Sequence, residues 1–291
     1  MNCENNKYSP AASTIFLIVS LFYISSCEDP VTLNLPVSEE KLVVNGWVTN
    51  ENKSHEIILN QTVSFNSSNI YPTESGAVVY VTDRLSFRYD FIEIGSTGVY
   101  KSDSLILIGK QGDSYTLHIV LSNGKEYKSN REVLHQLPEL KELSFDFFFD
   151  AGLPIDNPDA KKFFLEAQIQ DLPNIKNYYR WKISVNGEER NRPEDLFLFD
   201  DKFTDGILFN IRAINVNMKL GDQVTLKHAS LTEAGYKYFE QLSDQLSSGI
   251  IPNAPPSIVL GNIKNVNDST EIVLGYFGAS AVSISQIEII P

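Results

Sequence analysis

The sequence predicts a mainly β protein built from two β-sandwich domains, with one amphipathic helix in the second domain. Short runs of alternating or β-branched residues recur along the chain between clusters of turn residues, which is the pattern of half-buried strands. The stretch 231–247 instead spaces its apolar residues three and four apart, as an amphipathic helix does. These two periodicities together favour the mixed but β-rich fold.

The first 26 residues predict a cleaved signal peptide. The uncharged run Ile15–Ile24 is too short to span a membrane, because a spanning helix needs about 20 apolar residues. It leads into Ile24-Ser25-Ser26-Cys27, which resembles a bacterial lipobox. Cys27 would then become the amino terminus and carry acyl chains such as palmitate, each buried CH₂ contributing about 0.8 kcal/mol to membrane binding.

An ordinary thiol is the alternative for Cys27. The other cysteine, Cys3, lies in the segment that would be removed, so the mature chain would offer no disulfide partner. Lipidation is therefore the preferred interpretation, with outer-membrane lipid as the partner of Cys27.

Residues 27–40 predict a lipidated acidic tether. Glu28 and Asp29 follow the cysteine directly and resemble the export signal that sends some Gram-negative lipoproteins to the outer face of the outer membrane. A solvated charged linker is the alternative. The expected location is the cell outer membrane, with the protein held by its lipid and facing outward.

The charge of the chain excludes one class of partner. The 291 residues carry a formal charge of −13 at pH 7. Such a surface repels nucleic acid, so none is expected to bind.

A first β-sandwich domain is predicted over residues 41–136. Asn123-Gly124 supplies a hairpin turn between two of its strands, because glycine accepts positive φ. Six or seven such strands suit a sandwich of the Ig-like or transthyretin-like kind. The predicted strands are 42–48, 55–62, 77–83, 87–94, 114–121 and 125–129.

A second β-rich domain is predicted over residues 137–291. Pro138 bars a regular strand ladder and therefore marks the boundary between the domains. Asn186-Gly187 is the strongest hairpin signal in the chain. Gly275 and Gly278 bracket Tyr276-Phe277 and predict a bulge or a close backbone approach, in a core element rather than a binding surface. The predicted strands are 165–169, 179–185, 196–200, 207–216, 223–229, 271–278 and 281–290.

A helix near residues 231–247 interrupts this second strand series. Ser230-Leu231-Thr232-Glu233 fits a capping box with Ser230 as the N-cap, and Gly249 can end the helix. Its polar face is mainly acidic, whereas helices that bind membrane surfaces favour basic residues. The apolar stripe is therefore predicted to pack on a sheet.

No catalytic residue or cofactor is predicted. The four histidines are isolated, no serine lies in a G-x-S-x-G elbow, and neither zinc-ligand spacing nor a phosphate-binding glycine loop occurs. His118 and His228 fall in strand patterns, which favours satisfied, half-buried side chains.

An acidic loop, FDDKFTDG, holds Asp200, Asp201 and Asp205. Calcium binds six to eight oxygens, so dense aspartates make these three residues weak candidate calcium ligands. Their spacing does not match an EF-hand and Lys202 lies among them, which favours a solvated loop and no bound metal. Loop carboxylates also leave open a hydrolase acting on glycan or peptide.

Five features of the chain resemble one known family. They are the lipobox and the segments LVVNGWVT (42–49), LTEAGYKYFEQLSDQLSSG (231–249), PNAPPS (252–257) and LGYFGASAVS (274–283). Together they resemble the domain of unknown function 4249 family of outer-membrane lipoproteins, over nearly the whole mature chain. Members are often encoded beside TonB-dependent transporters, and no catalytic residues are established for the family.

The resemblance implies a non-enzymatic accessory or ligand-capture subunit at the outer mouth of a TonB-dependent transporter. Two alternatives remain from the residues themselves. One is the glycan- or peptide-directed hydrolase, and the other is a structural or adhesion protein of the envelope.

Overall fold

The structure of the protein, a computed structural model, describes residues 40–63, 71–104, 106–157, 159–190, 192, 195–214, 216–247 and 258–290. Several sequence predictions lie outside these residues. They are the signal peptide, Cys27, Glu28, Asp29, the tether up to residue 39, Gly249 and the PNAPPS loop.

The described chain is mainly β, as predicted. Strands β1 to β8 are Leu42–Thr49, Glu56–Gln61, Val78–Thr82, Arg88–Glu93, Val99–Ser102, Ser114–Val120, Glu126–Ser129 and Glu132–Val133. Strands β9 to β15 are Glu139–Phe149, Lys161–Gln170, Tyr178–Val185, Glu188–Glu189, Phe197–Asp200, Leu208–Ala213 and Gln223–Leu231. Helix α1 is Glu233–Ser247, and β16 to β18 are Ile263–Asn265, Leu274–Ser280 and Val282–Glu288.

The first sheet has ten strands in the order β16-β7-β6-β3-β4-β5-β2-β1-β17, with β8 beside β6. Its two ends meet. Leu260 bridges Leu274, and the carboxamide of Asn262 exchanges two hydrogen bonds with the backbone of Phe277, at 2.8 and 3.1 Å. The curled sheet therefore encloses one apolar core, in which Val44, Leu59, Val81, Leu117 and Phe277 are fully buried.

A three-stranded sheet, β14-β10-β9, packs on a five-stranded sheet, β12-β11-β15-β18 with β13 beside β11. Successive side chains of a strand point to opposite faces of its sheet, so every second residue of these strands faces the other sheet. The core between them includes Leu165, Ala167, Ile169, Trp181, Ile183, Val224 and Leu226. This sandwich agrees with the predicted fold class.

Strands β16 and β17 return to the first sheet, although they follow the second sandwich in sequence. Strand β17 pairs in parallel with β1, from Val43 opposite Leu274 to Thr49 opposite Ser280. The sequence prediction placed residues 271–278 in the domain 137–291, because periodicity identifies a strand without identifying its partner. A chain ending at residue 136 would lack these two strands of the first sheet.

Glycine permits this parallel pairing, as predicted for the segment around Tyr276. Gly275 has φ +87°, and a Cβ there would lie 1.9 Å from the carbonyl oxygen of Val44. Since only glycine tolerates both the conformation and the contact, the predicted close backbone approach is confirmed.

Helix α1 packs on the sheets as predicted, but its predicted cap is wrong. Strand β15 continues to Leu231, so Ser230 lies within a strand rather than before the helix. Its hydroxyl accepts a hydrogen bond from the Ala281 N–H at 2.9 Å. The N-cap is Thr232, whose Oγ1 accepts from the Gly235 N–H at 3.1 Å. The described part of the chain contains no helix that could span a membrane.

A buried carboxylate, Glu132 on β8, joins the first sheet to α1. Only 3% of Glu132 is exposed. It accepts hydrogen bonds from Thr232 Oγ1 at 2.8 Å, Tyr276 OH at 2.8 Å and Asn262 Nδ2 at 2.9 Å. Burial raises the pKa of Glu132, and the three hydrogen bonds offset only part of that rise.

The raised pKa predicts that the contribution of Glu132 to stability falls with rising pH. The folded protein holds the Glu132 proton more tightly than the unfolded chain does, so the stabilisation is full below about pH 4.5 and declines as the pH rises through the folded pKa. Glu132→Gln removes this titration and should be at least as stable as the wild type near pH 8, the difference vanishing toward pH 4.5. Urea unfolding over that pH range measures it.

The control for this experiment is Glu126→Gln, which replaces an exposed glutamate on β7. The stability of this variant should follow the wild-type curve. Glu132→Ala should lose about 3 kcal/mol or more, because it leaves buried donors without an acceptor. If Glu132→Gln and the wild type have the same stability at every pH, this account is wrong.

Candidate functional site

A cleft of about 500 Å³ lies where the first sheet, the five-stranded sheet and α1 meet. The first sheet contributes outward-facing residues of β1 and β17, the five-stranded sheet one face of β11 and β15, and the helix its apolar stripe. The lining includes Val43, Asn45, Trp47, Arg180, Lys182, Lys227, Ala229, Tyr238, Phe239, Leu242 and Tyr276.

One side of the cleft is an aromatic wall, formed by Trp47, Tyr238, Phe239 and Tyr276. The Trp47 ring stacks on Phe239 with centroids 5.7 Å apart and on Tyr276 at 5.9 Å. Gly278 lies opposite Trp47 in the parallel pair, and a Cβ there would come within 2.2 Å of the indole. The glycine therefore leaves the space that the tryptophan ring occupies.

The cleft also carries a cationic cluster of Arg180, Lys182 and Lys227, in which Arg180 lies against the aromatic wall at Phe239. Alternation along β11 puts Arg180 and Lys182 on the face opposite the buried Trp181, and Lys227 of β15 lies directly across from Lys182. Like charges directly opposite each other destabilise a sheet. Their concentration here is the more notable because the chain as a whole is acidic.

The two lysines have carboxylate partners at the margins of the cluster. Lys182 Nζ lies 2.6 Å from Glu189, and Lys227 Nζ lies 3.2 Å from Glu51. Glu51 also pairs with Lys53, and both residues line the cleft. The lining thus holds four cations against one carboxylate.

Among the described residues, Arg180 makes no side-chain hydrogen bond or close ion pair, although the nearby charge of Glu189 favours its ionised form. Its Nε is shielded from solvent without a hydrogen-bond acceptor, and its Cζ lies 4.2 Å from the centre of the Phe239 ring. Burial lowers the pKa of Arg180 to about 10. A guanidinium offers five donors in a fork that matches carboxylate and phosphate, so this side chain is equipped to bind an oxoanion.

Sequence reasoning missed the cationic cluster. The signal was present in YYRWKISV, where two cations alternate with residues of a buried strand face. The position of Lys227 across from them could not be foreseen, because it depends on the pairing of β11 with β15.

The acidic loop borders a second cavity of about 500 Å³, which Lys176 and Lys202 also line. Carboxylate oxygens of Asp201, Asp205 and Asp171 lie within 4.8 Å of one another. Of the three candidate calcium ligands, the structure thus brings two together, while Asp200 is not in this group. Asp171 was missed, although its place after β10 and before Leu172-Pro173 marks it as a loop acid.

All three grouped carboxylates already accept hydrogen bonds. Asp171 accepts from the Tyr179 hydroxyl and the Gly206 N–H, Asp201 from the Asn177 N–H at 2.7 Å, and Asp205 from the Asn174 N–H at 2.7 Å. These bonds fix the loop without a cation. A calcium site therefore stays a prediction.

Calcium binding can be tested on the group itself. If it binds, calcium at a hundredfold excess over its Kd stabilises the fold by about 2.7 kcal/mol, a rise in Tm of roughly 5 to 10 °C. Asp205→Asn should abolish this rise because it removes one grouped carboxylate, whereas Asp200→Asn should keep it. Thermal unfolding with and without millimolar CaCl₂ measures both, and an unchanged wild-type Tm would dismiss the site.

Two histidines lie on strands, as predicted, but His228 is fully buried rather than half-buried. Its Nδ1 accepts from Trp181 Nε1 at 3.0 Å, its Nε2 has no hydrogen-bond partner among the described residues, and burial lowers its pKa to about 4. His118 stacks on Tyr80 with centroids 4.7 Å apart and lies 3.1 Å from Thr82 Oγ1.

Three segments on which the family resemblance rests, β1, α1 and β17, converge on the cleft. Comparison with the curated proteins finds no match. The sequence profile described as Domain of unknown function (DUF4249) matches residues 28–286, which is most of the chain. The chain therefore belongs to the DUF4249 family.

Proposed function

We propose that this protein is a lipid-anchored, non-enzymatic ligand-capture subunit that acts beside a TonB-dependent transporter at the outer face of the outer membrane. The cleft between the sheets and α1 is its ligand site. The observation that carries the proposal is an aromatic wall beside a cationic cluster, in which the shielded Nε of Arg180 has no hydrogen-bond partner among the described residues.

The form of the cleft supports binding of a small molecule. Ligand sites are concave, mostly apolar and commonly about 300 to 1,000 Å³, with a few polar groups that orient the ligand. A cleft of about 500 Å³ with four rings and a cationic cluster has these properties. Its walls come from separate parts of the chain, so the folded protein rather than one loop forms the site.

The location rests on the amino-terminal residues and the transporter on the family resemblance. Acylation of Cys27 would hold the chain on the bilayer, and an acidic tether would let the folded part extend from it. A ligand-capture subunit held beside a transporter raises the local concentration of cargo at its mouth.

Cys27→Ala is expected to release the protein from the membrane, because the variant cannot be acylated. Fractionation of cells into soluble and membrane pools, followed by immunoblotting, measures the distribution. Cys3→Ala is the matched control and should remain in the membrane pool. Equal retention of Cys27→Ala would refute the anchor.

The accessory role predicts a stoichiometric complex. Affinity purification of the tagged, lipidated protein from its native outer membrane in mild detergent should recover a TonB-dependent transporter, identified by mass spectrometry. Recovery of the lipoprotein alone, under conditions that preserve other envelope complexes, would overturn this role.

A further inference from the structure

We propose that Arg180, Lys182 and Lys227 form an oxoanion subsite, which receives the carboxylate or phosphate of a ligand whose apolar, ring-sized part lies against the aromatic wall. This inference rests on the cleft being a ligand site, as in the proposed function. It adds the chemical class of the ligand and the residue that anchors it.

The unsatisfied guanidinium is the first support. Buried polar groups usually have hydrogen-bond partners. Five shielded side-chain atoms of the described residues have none, and Arg180 Nε is the one of these five that belongs to a residue lining the cleft. The Phe239 ring satisfies the positive charge in part but accepts no conventional hydrogen bond. An oxoanion would supply the missing acceptors and a countercharge.

Space for that anion is the second support. Ala229 lies directly opposite Arg180 on β15 and also lines the cleft, so the position across from the arginine backbone carries only a methyl group. Lys227 lies two residues before it on the same face. The three cations therefore border one open area of the sheet.

The unequal pairing of the cations assigns their roles. Lys182 and Lys227 form ion pairs with Glu189 and Glu51, whereas Arg180 feels the charge of Glu189 without a close ion pair to any described residue. Arg180 is the anchor, and the lysines raise the local positive potential. Charge-assisted hydrogen bonds to such a group are stronger than neutral ones.

The aromatic wall defines the remainder of the ligand. Trp47 and Tyr238 present ring surface within the same cleft as the cationic cluster, while Phe239 is buried in contact with Trp47 and Arg180. A flat apolar group packs well on such rings. A ligand with one oxoanion and one ring system fits both sides of the cleft at once.

The test uses three probes that share a naphthalene ring: 2-naphthoate, 2-naphthyl phosphate and the uncharged 2-naphthamide. Calorimetric titration of the full-length protein in mild detergent, with protein-free micelles as blank, measures their affinities. At least one anion should bind about tenfold more tightly than the amide. The preference between the two anions identifies carboxylate or phosphate as the source.

Arg180→Gln should weaken binding of the preferred anion about tenfold or more while leaving that of the amide unchanged. Lys182→Gln is a second variant, expected to weaken the anion less. The matched control is Lys264→Gln, which removes an exposed cation of β16 outside the cleft and should bind like the wild type. Thermal unfolding of each variant verifies that it folds.

The outcomes separate the two proposals. Equal binding of all three probes, unchanged by Arg180→Gln, would overturn the oxoanion subsite and leave the cleft as a ligand site. Binding of none would overturn the subsite as well. The transporter complex is tested independently by affinity purification, so its absence would not affect this result.

Discussion

The fold depends on a hydrogen-bond network centred on one buried side chain, Glu132. Glu132 takes its three donors from separate parts of the chain: Asn262 at the seam of the first sheet, Tyr276 on β17 and Thr232 before α1. Because an unsatisfied buried carboxylate is far costlier than a satisfied one, the three donors must be in place together. The closing of the sheet and the start of the helix are thereby specified by the same side chain.

This constraint extends to the cleft. Tyr276, which donates to Glu132, stacks on Trp47 in the aromatic wall. Thr232 caps the helix that brings Phe239 beneath Arg180. Tyr276 on β17 and the helix that carries Phe239 are therefore both tied to the Glu132 network. Rigid placement of binding groups is what lowers the entropic cost of ligand binding.

Much of the fold could be predicted from the sequence because it rests on local periodicity. The alternation of SYTLHIVL and the glycine turns identified strands, and the spacing of Tyr238 and Leu242 identified α1. The features that were predicted wrongly or missed depend on residues that are distant in sequence. Ser230 carries the local signature of a cap but is drawn into β15, whose ladder with β18 and hydrogen bond to Ala281 prevail. The grouping of Asp171 with the acidic loop and of Lys227 with Arg180 likewise arises from strand pairing, which composition and spacing do not encode.

Strand β17 links binding to folding more closely than the other cleft elements do. Gly275 permits the close approach to β1, and Gly278 makes room for Trp47. Between them, Tyr276 faces the cleft network while Phe277 fills the core and its backbone bonds to Asn262. Four successive residues thus take part in the parallel pairing, the seam of the first sheet, the core and the aromatic wall. Because a side chain added at either glycine would disturb the pairing or the indole, the wall of the cleft cannot change shape without changing the closure of the sheet.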